Sequence, residues 1–227
     1  MPSDEESELP QLSASAFAAL QEFYKEQEER EAMEMSARDV SVKGDFSEDW
    51  ATAKALLTER LLQQLSQFWY DERTIKGLVD MTLEAVGTNA NIALVSCPTL
   101  YTEMKQRAGP EAEVTLFEFD RRFAVFGGDF VFYDYRSPLN IPRDKSSYYD
   151  IVVADPPFLS DECLTKTAVT MKFLTKRRII LSTGAIMADL ASRLLDLEKH
   201  KFEPHHRNNL ANEFWCFTNF HKTRDVS

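Results

Sequence analysis

Apolar and polar positions alternate in two rhythms along this chain, and the change of rhythm falls near residue 65. Before it the pattern is helical. Phe17, Leu20 and Tyr24 recur at spacings of three and four, with Ser13 or Ser15 as cap, and the segment then runs into the charged stretch KEQEEREAMEM. Residues 36–49 are polar and read as a linker. A second helix is expected from Asp49 to about Gln64, with Ala53, Leu57, Leu61 and Leu65 on one face. After residue 65 short apolar runs alternate with helical stretches. A helix carrying Ile75, Leu78, Val79, Thr82 and Val86 ends at Gly87, and the run IALVSC (92–97) follows as a strand. Pro98 opens the next helix, which is expected to end at Gly109. VTLFEF (114–119), DFVFYD (129–134) and YYDIVVA (148–154) are the second to fourth strands. A helix with Leu164, Ala168, Met171 and Leu174 on one face leads to RRIILSTG (177–184) and then a helix over 186–199. Strand-like stretches at 201–206 and 213–220, with no helix between them, are expected to pair as a terminal hairpin.

Strands alternating with helices predict an α/β fold with a mostly parallel sheet covered on both faces. The expected organisation is a disordered acidic stretch over 1–12, an acidic helical extension with a linker over 13–64, and a catalytic domain over 65–222. Charge supports that division. The 227 residues carry a net charge of −11, of which residues 1–50 hold −10, from 14 acids against 4 bases. The remainder is nearly neutral, so the deficit of bases belongs to the extension. It leaves that segment either as a steering element for a basic protein partner or as a solvated tail. Three widely spaced cysteines, Cys97, Cys163 and Cys216, form no metal-like cluster and no disulfide framework. The opening MPSDEESELP is not of secretory or mitochondrial type, and no apolar run approaches the ~18 residues of a membrane span. A reducing, cytoplasmic setting is expected, with no metal and no membrane partner.

In an open α/β sheet ligands bind beyond the carboxyl ends of the strands. Those positions are Ser96-Cys97-Pro98-Thr99, Glu118 with Asp120, Asp134-Tyr135, Asp155-Pro156-Pro157-Phe158 and Ser182-Thr183-Gly184. The glycine-rich loops that cradle phosphates, GxGxxG and GxxxxGK[ST], are absent from the chain. A nucleoside cofactor without phosphates needs no such cradle, and S-adenosyl-L-methionine is one. Its ribose hydroxyls suit a carboxylate at the end of the second strand, Glu118 or its alternative Asp120. Its adenine amine suits Asp134. Ser96 and Asp155 complete the expected cofactor-binding set.

Asp155-Pro156-Pro157-Phe158 is the sharpest motif. Two prolines remove two N–H donors and leave carbonyl oxygens free for a ligand. The tetrapeptide resembles the [D/N]-P-P-[Y/F] motif of amino-group methyltransferases, whose acid or amide and proline carbonyl hold the target nitrogen. Longer stretches carry a closer resemblance: PQLSASAFAALQEFY (10–24), QLSQFWY (64–70), FEFDRRFAVFGGDFVFYDY (117–135), YDIVVADPPFLSDECL (149–164), IILSTGAIM (179–187) and NLANEFWCF (209–217). Together they resemble the eukaryotic elongation factor 1A lysine methyltransferase 1 family. That resemblance implies a seven-stranded class I methyltransferase fold, S-adenosyl-L-methionine as donor, and a lysine of translation elongation factor 1A as acceptor. It carries the catalytic role to Asp155, Pro156, Pro157 and Phe158. Trp69 and Tyr70 are candidate walls for the lysine chain, or simply a seal over the core. The first loop, SCPTL, departs from the glycines common in class I enzymes, and Phe158 removes any phenolic hydroxyl from the motif. An adenine amine of DNA or RNA is the alternative acceptor. It is disfavoured by the absence of a recognition domain and of any basic run longer than Lys176-Arg177-Arg178.

Overall fold

The structure, a computed structural model, describes residues 70–206 and 213–220. The expected disordered stretch, the two N-terminal helices and Trp69 lie outside the described residues. The first described helix, α1 (Glu72–Val86), starts where Asp71 accepts the Thr74 N–H at 2.7 Å. This is an N-cap, which satisfies a donor the helix itself leaves unpaired. The helix stops at Gly87, whose φ of 82° lies where a side chain would be strained. Its buried face is Thr74, Leu78, Val79, Met81 and Thr82, close to the predicted stripe but with Ile75 and Val86 only partly covered.

The strands are β1 (Asn91–Val95), β2 (Glu113–Glu118), β3 (Phe130–Phe132), β4 (Ile151–Ala154), β5 (Arg178–Gly184), β6 (Glu198–Lys199) and β7 (Phe214–Thr218). They form one seven-stranded sheet in the order β3-β2-β1-β4-β5-β7-β6. The first five are mutually parallel; β7 runs antiparallel to both β5 and β6. This is the sheet order of the class I methyltransferase fold. The chain winds outward from β1 to β3, returns to lay β4 beside β1, and so makes a crevice at the β1/β4 switch point.

Helices cover both faces, which is why the strands read as continuous apolar runs. On one face α1 and α2 (Tyr101–Arg107) bury Leu78, Val79 and Met104 against Leu94, Leu116, Val153 and Ile180. On the other, α3 (Asp161–Leu174) and α4 (Ala188–Leu195) bury Leu164, Met171, Ala191 and Leu195 against Val95, Phe117, Val152 and Leu181.

Several predicted boundaries shift, each for a local reason. The helix predicted over 186–199 becomes a 3₁₀ turn at Ala185–Met187 and then α4, which stops at Leu195. Asp196 ends it in the left-handed conformation, φ 53° and ψ 43°, without the glycine that usually signals such a cap. The hairpin partner of β7 is therefore β6 at 198–199, not the stretch 201–206, which enters only an isolated bridge between Tyr70 and His206. The helix after β1 begins as a 3₁₀ turn at Pro98–Leu100 and α2 ends at Arg107, two residues before Gly109. The fourth strand starts at Ile151 because the Ser147 and Tyr149 N–H groups donate instead to Phe173 and Leu174 at the end of α3.

Leu94 is fully buried between β2 and β4 on the α1 face. Leu94→Ala is expected to cost about 2–5 kcal/mol, from lost transfer energy and the cavity left behind. Urea unfolding measures it.

Candidate active site

The parallel register builds the site. Phe117, Val95, Ala154 and Leu181 are paired across β2, β1, β4 and β5, and Leu181 pairs onward with Phe217. One residue further along lie Glu118, Ser96, Asp155 and Ser182. Side chains alternate along a strand, so the row after Phe117–Leu181 turns to the α1 face. Backbone bonds hold this last row in place: the Asp155 N–H donates to Val95 at 3.0 Å and the Ser96 N–H to Phe117 at 2.9 Å. Ser96 takes φ 55°, a left-handed conformation that costs a non-glycine residue about 1 kcal/mol. The loop thus makes the sharp turn that glycines serve in other class I enzymes.

Asp155 sits at the floor of this rim, half-buried and surrounded by protein on most sides. Burial pushes its carboxyl up to about 7; the nearby Tyr70 hydroxyl opposes that rise and the charge of Glu118 adds to it. After Asp155 the chain leaves the sheet. Pro156 is buried, while Pro157 and Phe158 are exposed, Phe158 by 54%. The Phe158 ring meets Tyr135 edge-on at 5.7 Å. The loop then caps α3, with the Ser160 hydroxyl accepting the Cys163 N–H at 3.3 Å. Leu159 lies over Gly184 at the end of β5, where an added Cβ would come within 2.9 Å of its methyl groups. Gly184 therefore lets the Pro-Pro-Phe loop close against the sheet.

The other rim carboxylates differ in what already occupies them. Glu118 Oε1 accepts the Phe119 and Asp120 N–H groups at 2.8 and 3.1 Å, and its Oε2 accepts nothing from the described residues. Burial pushes its carboxyl above the usual carboxylate range despite those two bonds. Asp120 has both oxygens engaged by the Arg122 guanidinium, with Nε at 2.9 Å from each, and one also takes the Arg122 N–H. Asp134 Oδ1 accepts the Arg136 N–H at 2.9 Å, and its Oδ2 accepts nothing from the described residues.

Tyr70 is buried, 2% exposed, in the core beneath the rim, and its ring lies tilted against His206 with centroids 5.0 Å apart. His206 in turn packs edge-on against Phe214 at 4.6 Å, and burial lowers its basicity. The adjacent His205 N–H donates to the Thr74 hydroxyl at 2.8 Å. His205 thus ties the segment after β6 to α1, and His206 ties it to Tyr70 and β7. Among the described residues no group of three or more His, Cys, Asp or Glu is placed to hold a metal. Cys97 is buried, donates to the Val153 carbonyl at 3.4 Å, and has its thiol pushed well up by burial and by Asp155. That is the opposite of an activated nucleophile. Ser182 belongs to the site by register, yet carries no predicted role. The signal for it is the polar pair Ser182-Thr183 closing an apolar strand, which becomes informative only once β5 is laid beside β4.

The raised Asp155 carboxyl makes stability depend on pH. Folded, its value of about 7 lies above the ~3.9 of an unperturbed aspartate. The folded state then binds the proton more tightly, so stability falls as pH rises from about 4 through 7. Asp155→Asn removes that loss. Thermal melts are expected to show the variant matching the parent near pH 4 and exceeding it at pH 8, by on the order of a few kcal/mol.

Comparison with known proteins identifies the family. The family described as Probable N6-adenine methyltransferase matches residues 62–222. EEF1A lysine methyltransferase 1 of Gallus gallus is 46% identical over 220 residues, covering 96% of this chain and 97% of its own. The Homo sapiens protein of the same name is 43% identical, covering 95% and 94%. Protein-lysine N-methyltransferase EFM5 of Saccharomyces cerevisiae is 35% identical, covering 92% and 91%. Among solved structures, the C9 mutein of the branched-chain polyamine synthase from Thermus thermophilus, in complex with N4-aminopropylspermidine and 5'-methylthioadenosine, shares the fold. Its TM-score is 0.50 at 11% identity, over 71% of this chain and 62% of that one. With identity of this order across nearly the whole of both chains, the protein belongs to the EEF1A lysine methyltransferase 1 family of protein-lysine N-methyltransferases.

Proposed function

We propose that the chain transfers a methyl group from S-adenosyl-L-methionine to a lysine side chain of translation elongation factor 1A. The observation that carries this is Asp155, with the donor-free Pro156-Pro157 and exposed Phe158, in one row with Glu118 across the β1/β4 switch point. The relatives named for that acceptor point to elongation factor 1A as the substrate.

The residues present fit the cofactor. Glu118 offers a free carboxylate oxygen at the end of β2 for ribose hydroxyls, and Asp134 offers one after β3 for an adenine amine. Asp120 was the alternative for the ribose; its bidentate pairing with Arg122 favours Glu118. Ser96 supplies the tight turn between them, where no phosphate cradle is needed. When bound, S-adenosyl-L-methionine supplies an electrophilic methyl group on a sulfonium.

The protein's own task is to present a neutral amine. A lysine amine titrates near 10.4 in water, so it arrives as the ammonium. Phe158 and Tyr135 wall an apolar entrance, which disfavours the charged form. In this reading the exposed Phe158 and the half-buried Tyr135 flank the lysine chain, while the buried Tyr70 does not reach it. Asp155 and the Pro156 carbonyl accept N–H bonds from the amine and aim its lone pair. Asp155, ionised above about 7, takes up the released proton through water. Positioning supplies most of the acceleration. The three described cysteines are all unpaired and buried, which accords with a cytoplasmic setting.

An adenine amine presents the same chemistry to Asp155, and the matching family's description favours it as the second reading. Labelled S-adenosyl-L-methionine offered with elongation factor 1A, DNA and RNA separates them. Label is expected on a lysine of the factor; label on nucleic acid alone overturns the proposal. Asp155→Ala is expected to keep the fold and lose transfer by at least 100-fold, on the order of a general-base contribution. A variant as fast as the parent removes Asp155 from the mechanism. Glu118→Ala is expected to weaken S-adenosyl-L-methionine binding about tenfold or more by calorimetry, the loss of one charge-assisted hydrogen bond. Unchanged affinity moves the ribose role to Asp120.

A further inference from the structure

Two buried hydroxyls beside Asp155 remain without a use. Ser182, 1% exposed, follows Leu181, the residue paired with Ala154, so it stands beside Asp155 on the same face of the sheet. Tyr70, 2% exposed, lies over that face among Leu78, Leu94 and Ile180. Among the described residues neither hydroxyl has a hydrogen-bond partner. Among the described residues the Asp155 carboxyl, the Ser182 hydroxyl and the Cys97 thiol act on the Tyr70 hydroxyl. An unpaired buried hydroxyl is costly, and Phe and Ala would fill the two places without that cost. Both groups are also too enclosed to touch a ligand.

We propose that Tyr70 and Ser182 are positioning residues for Asp155. In this arrangement the Tyr70 O–H donates to the Asp155 carboxylate, and the Ser182 O–H donates to the Tyr70 oxygen. The bonds close when the carboxylate ionises, because a charged acceptor draws a phenol more strongly than a neutral one. They hold Asp155 in a single orientation and favour its charged form while the amine is bound. The inference rests on the reading of Asp155 as the residue that receives the acceptor amine. Among the described residues the other titratable groups acting with Asp155 are Glu118 from β2 and Cys97 after β1. Glu118 opposes ionisation, and the Cys97 thiol stays protonated. Both are unchanged in every variant below and set a constant background.

The test titrates Asp155 directly. Protein labelled with carbon-13 at the aspartate carboxyls is followed by NMR from pH 5 to 9, with the Asp155 signal assigned by its loss in Asp155→Asn. Tyr70→Phe is expected to move the Asp155 midpoint up by about one pH unit. The acid limb of kcat/KM should move with it, while the KM for S-adenosyl-L-methionine stays unchanged. Ser182→Ala is expected to move the midpoint in the same direction by less. In a Tyr70→Phe background it should have no further effect, because Ser182 acts through Tyr70. A parent midpoint in Tyr70→Phe, or an equal Ser182→Ala shift with and without the tyrosine hydroxyl, overturns the inference. Ser182→Ala removes only one buried oxygen, so it keeps the test open if Tyr70→Phe folds poorly. The NMR titration needs no turnover. A parent protein that methylates nothing would end the proposed function and still leave the Tyr70–Ser182 pair decided.

Discussion

The parallel ladder joining β2, β1, β4 and β5 is the constraint on which the molecule depends. Both of its faces are buried, so the strands are apolar for as long as they are paired. The ladder runs out in one shared row, and polar side chains become affordable there together. That row holds Glu118, Ser96, Asp155 and Ser182. A one-residue slip in any pairing would turn a carboxylate from the α1 face into the core on the α3 and α4 side. The position of the chemistry is therefore a consequence of packing. The same alternation that seats Leu94 and Val153 against α1 aims Asp155 beneath the rim.

The row has an electrostatic cost. Glu118 and Asp155 are two strand spacings apart, about 10 Å at the backbone. Each is raised by burial, and Glu118 raises Asp155 further. Backbone N–H groups at the start of the following turn offset part of that cost at Glu118. At Asp155 the nearby Tyr70 hydroxyl offsets part of it. Perturbed carboxyls in a crevice are what amine chemistry near neutral pH requires, since an ordinary aspartate would be too weak a base to take a proton there. The left-handed Ser96 adds strain in the same place, and the fully paired strands around it hold that strain.

Much of the architecture was legible in the chain because local signals and tertiary demands agreed. The α1 stripe, its Gly87 stop and the face of Leu164, Ala168, Met171 and Leu174 needed only periodicity and a cap. Where they diverged, the pattern misled. The helix expected over 186–199 ran too far: Asp196 turned the chain and freed Glu198-Lys199 to pair with β7. The stretch 201–206 has strand composition but meets α1 instead, through Phe202 lying against Gly77 and His205 bonded to Thr74.

The sequence by itself determined which residues could carry chemistry: Glu118, Asp134 and Asp155-Pro156-Pro157-Phe158 at the ends of apolar runs, with no phosphate-binding glycines. Composition and strand-end position are local properties, so one chain suffices to read them. Only the tertiary structure decided which of those groups stay free. Asp120 and Glu118 stand two residues apart and look equivalent in a string of letters; Arg122 occupies the first and leaves an oxygen of the second open. Ser182 stands beside Asp155 because β5 pairs with β4, and Tyr70, 112 positions earlier in the chain, packs into the core on the same face of the sheet. No local pattern records which row a strand end will join.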